Sequence, residues 1–230
     1  MGCVATHSLG IRMAMVLLRP PGVYPVQGDT ALLLETFGCE PVRPGARCLD
    51  LGTGCGVLAL AAARRGCRVT AVDLSRRALA TAWLNAHLHR LPVRLRRGDL
   101  TGPVLDEQFD LVLSNPPYVP ARDSQPPGRG PAVAWDAGPD GRQLLDRLCR
   151  QVPLLLAPGG VLLLVQSSLA QPDATVRQLR AAGLQVGVIA RKSQRFGPVM
   201  TARAQWFEDI GLIEPGVRTE ELAVVRGVRH

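Results

Sequence analysis

Asp50-Leu51-Gly52-Thr53-Gly54-Cys55-Gly56 closes an apolar run that starts at Arg47 and leads directly into Val57-Leu58-Ala59-Leu60-Ala61. A short apolar strand, a turn with glycine at alternate positions and an apolar helix in immediate succession form the opening crossover of an open α/β sheet. The pattern continues outward from there. Strands are predicted at 47–51, 68–72, 93–96, 109–114 and 161–166, with helices at 57–65, 76–88, 141–156 and 172–182 between and after them. Two further strands are predicted at 185–190 and 221–226, joined by a long segment containing Trp206 and Phe207. Such alternation implies right-handed crossovers and a mostly parallel sheet with helices on both faces, and one antiparallel strand is expected near the C-terminus. Upstream, Asp29 or Thr30 can cap a helix opening at Ala31. Pro158-Gly159-Gly160 is expected to end the helix before the fifth strand.

The second informative stretch is Asn115-Pro116-Pro117-Tyr118, directly after the apolar run Phe109 to Ser114. Two consecutive prolines have no N–H to give a ladder, so the strand stops there and a stiff bracket remains. At the carboxyl end of a strand in an open α/β sheet, that bracket faces the ligand crevice. The Asn115 side-chain carbonyl and the Pro116 backbone carbonyl are both acceptors, and together they can hold the two N–H bonds of a planar NH2 group. Tyr118 can stack on the flat face of such a group. As a turn alone, the tetrapeptide is unremarkable in loops; its position after a strand and downstream of the glycine turn gives it meaning.

Gly52, Gly54 and Gly56 let the backbone approach a ligand at a helix N-terminus. A dinucleotide site would carry G-x-G-x-x-G, and the position of its third glycine is Val57. Asp50 before the turn would repel a pyrophosphate and attract a cationic amine, which suits the methionine part of S-adenosylmethionine. Asp73 ends the second strand where a ribose-binding carboxylate is expected. Asp99, beside Leu100, follows the third and can accept from an adenine amine.

The 230-residue chain is long enough for one buried core, and a single domain is expected over 13–230, with 1–12 a disordered or non-native extension ahead of Met13 or Met15. Its six cysteines form no C-x-x-C pair and read as reduced thiols of a cytoplasmic protein; no metal site is expected. Nothing in the sequence is long and apolar enough to span a bilayer, so no membrane partner is expected. The formal charge of +8 rests almost wholly on arginine, Lys192 being the only lysine, and a basic surface favours acidic partners including nucleic acid. The Pro- and Gly-rich stretch 121–131 reads as a loop able to gate the site.

The glycine turn with the Asn-Pro-Pro-Tyr bracket resembles class I S-adenosylmethionine-dependent methyltransferases that act on a planar nitrogen. Val23-Tyr24, Asp29-Thr30 and Ala134-Trp135-Asp136-Ala137-Gly138-Pro139-Asp140-Gly141-Arg142 narrow this to HemK-type glutamine methyltransferases, in the short form without an N-terminal helical domain. The resemblance covers residues 16 to 195 and implies that Thr30, Asp50, Gly52, Asp73, Asp99, Leu100 and Asn115 contact S-adenosylmethionine. It also implies that Asn115 and Pro116 orient the acceptor amide. The implied substrate is a translation release factor, and the implied partner a small zinc-binding activator subunit. Pro25-Val26-Gln27-Gly28 departs from the family's usual Glu-Pro and further Glu. Two other acceptors share the planar NH2: the exocyclic amine of adenine in nucleic acid, and a small-molecule amine. A methyltransferase-like binding subunit without turnover is the reading from outside enzymology.

Overall fold

The computed structural model describes residues 16–20, 23, 25–124 and 130–230. The expected N-terminal extension, Tyr24 and the middle of the Pro- and Gly-rich loop lie outside these residues. Within them, seven strands form one sheet: β1 (Arg47–Leu51), β2 (Arg68–Asp73), β3 (Val93–Arg97), β4 (Phe109–Ser114), β5 (Leu156–Ser167), β6 (Leu184–Arg195) and β7 (Thr219–Arg229). Their order is β3-β2-β1-β4-β5-β7-β6. The first five are parallel, and β7 runs antiparallel between β5 and β6.

Among the described residues, six α-helices accompany the sheet: α1 (Gly28–Cys39), α2 (Val57–Arg64), α3 (Arg76–Leu88), α4 (Gln143–Leu155), α5 (Pro172–Ala181) and α6 (Pro198–Asp209). In β1 every residue from Cys48 to Leu51 is buried, as are Leu111 to Ser114 in β4. Side chains alternate between faces along a strand, so consecutive burial means that both faces are covered.

The chain reverses its progress across the sheet between β1 and β4. Leu51 is in register with Ser114, so the glycine turn after one strand and the bracket after the other emerge side by side. This is the topological switch point where open α/β sheets bind ligands.

Two expectations need correction, and one segment left unassigned proves helical. The α1 helix opens at Gly28 with Gln27 as its N-cap residue, so neither Asp29 nor Thr30 caps it. Pro158-Gly159-Gly160 lies within β5 and does not end α4, which stops at Leu155. There the β4–β5 register jumps from Phe109 opposite Leu156 to Leu111 opposite Val161, and a Cβ on Gly160 would stand 2.7 Å from the Ala157 carbonyl oxygen and 2.9 Å from that of Phe109. The glycine permits a bulge in the strand. The segment containing Trp206 and Phe207 is the helix α6, with Pro198 in its first turn and Met200, Ala204 and Phe207 buried at helical spacing.

Candidate active site

One cavity opens where β1, β2 and β4 end, lined by Gly52, Gly54, Asp73, Leu100 and Asn115 together with the bracket from Pro116 to Val119. Thr30 from α1 and Asp99 from the loop after β3 also reach it. Of the residues singled out in the sequence, Gly56 is absent from this wall, and so is the Asp50 carboxylate. The carboxylate is fully buried beneath the turn, where Oδ2 accepts from Thr53 Oγ1 at 2.6 Å and from the Ala59 N–H at 3.0 Å. Its Oδ1 is buried with no hydrogen-bond partner. Burial pushes the Asp50 carboxyl up to about 7, against the lowering pull of its bonds to Thr53 and Ala59, and the nearby Asp73 charge adds to the rise.

The three glycines divide their work. Gly52 and Gly54 take left-handed φ values of 75° and 55° and border the cavity. A Cβ on Gly54 would meet nothing within 4 Å, so the turn leaves open space above its backbone. Gly56, at φ 88°, serves packing: a Cβ there would press to 3.0 Å on the Ala82 side chain of α3. The expectation that Gly56 approaches a ligand is therefore corrected. Asp73 joins the turns after β1 and β2, accepting from the Gly54 N–H at 2.9 Å and the Ser75 N–H at 2.8 Å. Burial raises its carboxyl above the usual range, opposed by those backbone bonds. Each oxygen keeps a lone pair for a hydroxyl donor. Asp99 is half exposed and pairs with Arg147 of α4 at 2.6 Å, while Leu100 holds a left-handed φ of 48° at the cavity edge.

At the bracket, a hydrogen-bond relay fixes the asparagine. Asp29 is 1% exposed, and its Oδ1 accepts from the Thr30 N–H at 2.6 Å and from Thr30 Oγ1 at 3.2 Å. A carboxylate only accepts, so the Thr30 hydroxyl spends its proton there and offers a lone pair to Asn115 Nδ2, 3.0 Å away. The Asn115 amide is thereby oriented, with Oδ1 as its remaining acceptor. The Tyr118 hydroxyl donates to Asp29 Oδ2 at 2.9 Å, so the ring's edge is tethered while the ring borders the cavity. Asp29 is the functional residue that sequence reasoning undervalued, taking it for a helix cap. The signal was present in Asp29-Thr30 ahead of an apolar helix, but a cap and a relay look alike in one dimension.

The structure adds a second wall. Val133, Ala134 and Trp135 return to the cavity after the loop that follows the bracket. Gly141, at φ 70°, packs so closely on the Tyr118 carbonyl that any Cβ would overlap it. Among the described residues no three His, Cys, Asp or Glu side chains gather into a metal-binding set, and no helix is long and apolar enough to cross a membrane. The five described cysteines are unpaired.

The family model for the methyltransferase small domain matches residues 15–127. A Methanocaldococcus jannaschii protein, provisionally named a protein N5-glutamine methyltransferase, is 32% identical over 185 residues, covering 80% of this chain and 92% of its own length. The release factor glutamine methyltransferase of Gloeobacter violaceus is 40% identical over 154 residues, which are 63% of this chain and 53% of that protein. The chain thus spans about half the length of that longer relative. Among solved structures, that of the E. cuniculi Mtq2–Trm112 complex, described as responsible for methylation of the eRF1 translation termination factor, superposes with a TM-score of 0.64 at 25% identity, covering 91% of this chain and 99% of the matched one.

Proposed function

The chain belongs to the HemK-type glutamine methyltransferase family of class I methyltransferases, and we propose that it methylates the side-chain amide nitrogen of a protein glutamine, using S-adenosylmethionine. The observation that carries this reading is the committed Asn115 amide. With Nδ2 bonded to Thr30, Oδ1 is left to accept, and a planar NH2 needs acceptors. Pro116, held stiffly next to it, supplies the second carbonyl at the cavity wall.

The residues fit the cofactor's chemistry. A buried carboxylate with an unsatisfied oxygen under the turn favours a cationic group above it, Asp73 offers lone pairs to vicinal hydroxyls, and Gly52 and Gly54 leave the room. Thr30, Asp50, Gly52, Gly54, Asp73, Asp99, Leu100 and Asn115 would hold S-adenosylmethionine, Asp50 acting from beneath the turn. When bound, the cofactor supplies an electrophilic methyl carbon on a sulfonium sulfur.

An amide nitrogen is a poor nucleophile because its lone pair is delocalised, so the protein's contribution is alignment and exclusion of water. Asn115 Oδ1 and the Pro116 carbonyl hold both N–H bonds and leave the nitrogen's remaining face toward the donor. The same two acceptors stabilise the positive charge that grows on nitrogen during transfer. Tyr118, tethered by Asp29, keeps the ring wall in place.

A translation termination factor is the proposed substrate, supported by the names of the release-factor relatives and of the Mtq2–Trm112 structure. That same complex supports a small activator subunit as partner. The cysteine composition supports a cytoplasmic setting. The test is to incubate the protein with labelled S-adenosylmethionine and a cell extract, then digest. Protease-sensitive label mapping to glutamine is the expected result. Label released by nuclease would replace this reading with adenine methylation, and label on small metabolites would replace it with small-molecule amine methylation.

A further inference from the structure

We infer that Arg203 of α6, beyond the segment matched by the family model, is a positioning residue that pins both stems of the loop forming the second cavity wall; the inference rests on the acceptor reading above. Arg203 Nη1 donates to the Pro120 carbonyl at 2.8 Å. Its Nη2 stands 2.6 Å from Asp136 Oδ1 in a partly buried ion pair, a charge contact in which Oδ1 has no aligned hydrogen bond. Pro120 lies just past Tyr118 on the way out of the bracket, and Asp136 directly follows Trp135 on the way back. One guanidinium therefore holds the entry and the exit of the intervening loop.

The two stems already run side by side. The Val119 N–H donates to the Trp135 carbonyl at 2.8 Å, the Ala137 N–H to the Val119 carbonyl at 3.1 Å, and the Ala121 N–H to the Gly138 carbonyl at 2.9 Å. Such short ladders are weak by themselves, and the partly buried charge contact across them adds to their closure. A second grip comes from the same helix face, where the Arg122 guanidinium lies 5.6 Å from the centre of the Trp206 ring. Arg203 and Trp206 are three residues apart and so point the same way. Met200, Ala204 and Phe207 bury the adjoining stripe of the helix and make α6 a fixed platform. Arginine suits the task because its planar fork serves a carbonyl and a carboxylate at once, whereas a lysine ammonium is a single point of charge.

The consequence concerns the acceptor. Val133 to Trp135 face the bracket across the cavity, so their placement determines how an acceptor side chain enters between them and Tyr118. Among the described residues, no hydrogen bond or ion pair joins Arg203 to the cofactor side built on β1 and β2.

The experiment uses the full chain with S-adenosylmethionine and a Gly-Gly-Gln peptide as acceptor, comparing wild type, Arg203→Met and Arg203→Lys. Expected for Arg203→Met are a KM for the peptide raised roughly tenfold or more, unchanged affinity for S-adenosylmethionine, and faster amide exchange at Val119, Ala121 and Ala137. Arg203→Lys should recover part of both effects. Unchanged KM with unchanged exchange would overturn the proposal, as would equal loss of cofactor affinity. Should Arg203→Met fail to fold, Asp136→Asn removes only the ion pair, and wild-type exchange in that variant would be equally fatal. If the wild type leaves the peptide unmethylated both alone and with added cell extract as the source of an activator subunit, the glutamine reading fails by itself, and the exchange measurement still decides the clamp.

Discussion

Thr30 Oγ1 and Asn115 Nδ2 stand 3.0 Å apart, joining the first helix to the end of the fourth strand across 85 residues of sequence. The hydroxyl can accept from the amide because its own proton is directed to Asp29. That ordering of donors decides which end of the Asn115 amide meets the acceptor.

Thr30→Val keeps the shape and removes the relay. Asn115 is then free to turn over, presenting NH2 where an oxygen is needed. The turnover number should fall by about ten- to a hundredfold, with a smaller change in KM. Single-turnover methylation of a glutamine peptide measures it. An unchanged rate would mean that Asn115 is held by something other than Thr30.

Tyr118→Phe retains the ring and leaves Asp29 Oδ2 without its phenolic donor. Loss of a donor to a buried carboxylate costs on the order of 1–3 kcal/mol. Urea unfolding should show that loss, with methylation reduced less than in Thr30→Val. Equal stability of the two proteins would count against the tether.

Gly141→Ala places a Cβ against the Tyr118 carbonyl in a residue that already has φ 70°. The bracket must shift or the loop must open. A stability loss of roughly 1–3 kcal/mol together with a raised peptide KM is expected. Wild-type kinetics in this variant would show that the bracket tolerates displacement.

Asp50 links stability to pH. Its ordinary value of 3.8 is raised to about 7 in the fold, chiefly by burial. The folded state therefore keeps a proton that the unfolded chain releases, and this contribution is complete below about pH 4 and lost as pH rises through 7. Asp50→Asn should remove that dependence, so the variant gains on the wild type between pH 5 and about 8 in thermal melts while its affinity for S-adenosylmethionine falls. A constant stability difference across that range would contradict the assignment.

The parallel half of the sheet was legible because apolar runs alternate with amphipathic ones and each strand ends at a glycine, aspartate or proline signal. The later part was legible in outline only: α5 and the strands β6 and β7 were expected, the helix between those strands was not. Pro158-Gly159-Gly160 carries the composition of a helix stop, yet the tight space around Gly160 shows that these residues serve a bulge in β5. The α6 helix has its apolar residues Met200, Ala204 and Phe207 at helical spacing, and only the long link between two strands concealed it. Within the site, residues that follow strand ends were found from local pattern. Asp29, Arg203 and the wall at Trp135 act through partners some 65 to 90 residues away or through a returning loop, and one-dimensional spacing holds no trace of such contacts. The Asp50 side chain illustrates the same limit: its position before the turn was readable, its direction beneath it was not.

The most direct test of the central claim is methylation of a purified termination factor carrying Gly-Gly-Gln by the wild type and by Asn115→Ala, read by peptide mass spectrometry beside calorimetric titration with S-adenosylmethionine. The expected result is one methyl group on that glutamine with the wild type and none with Asn115→Ala, which still folds. Methylation by Asn115→Ala at the wild-type rate, or transfer to a factor whose glutamine has been replaced by alanine, would contradict it.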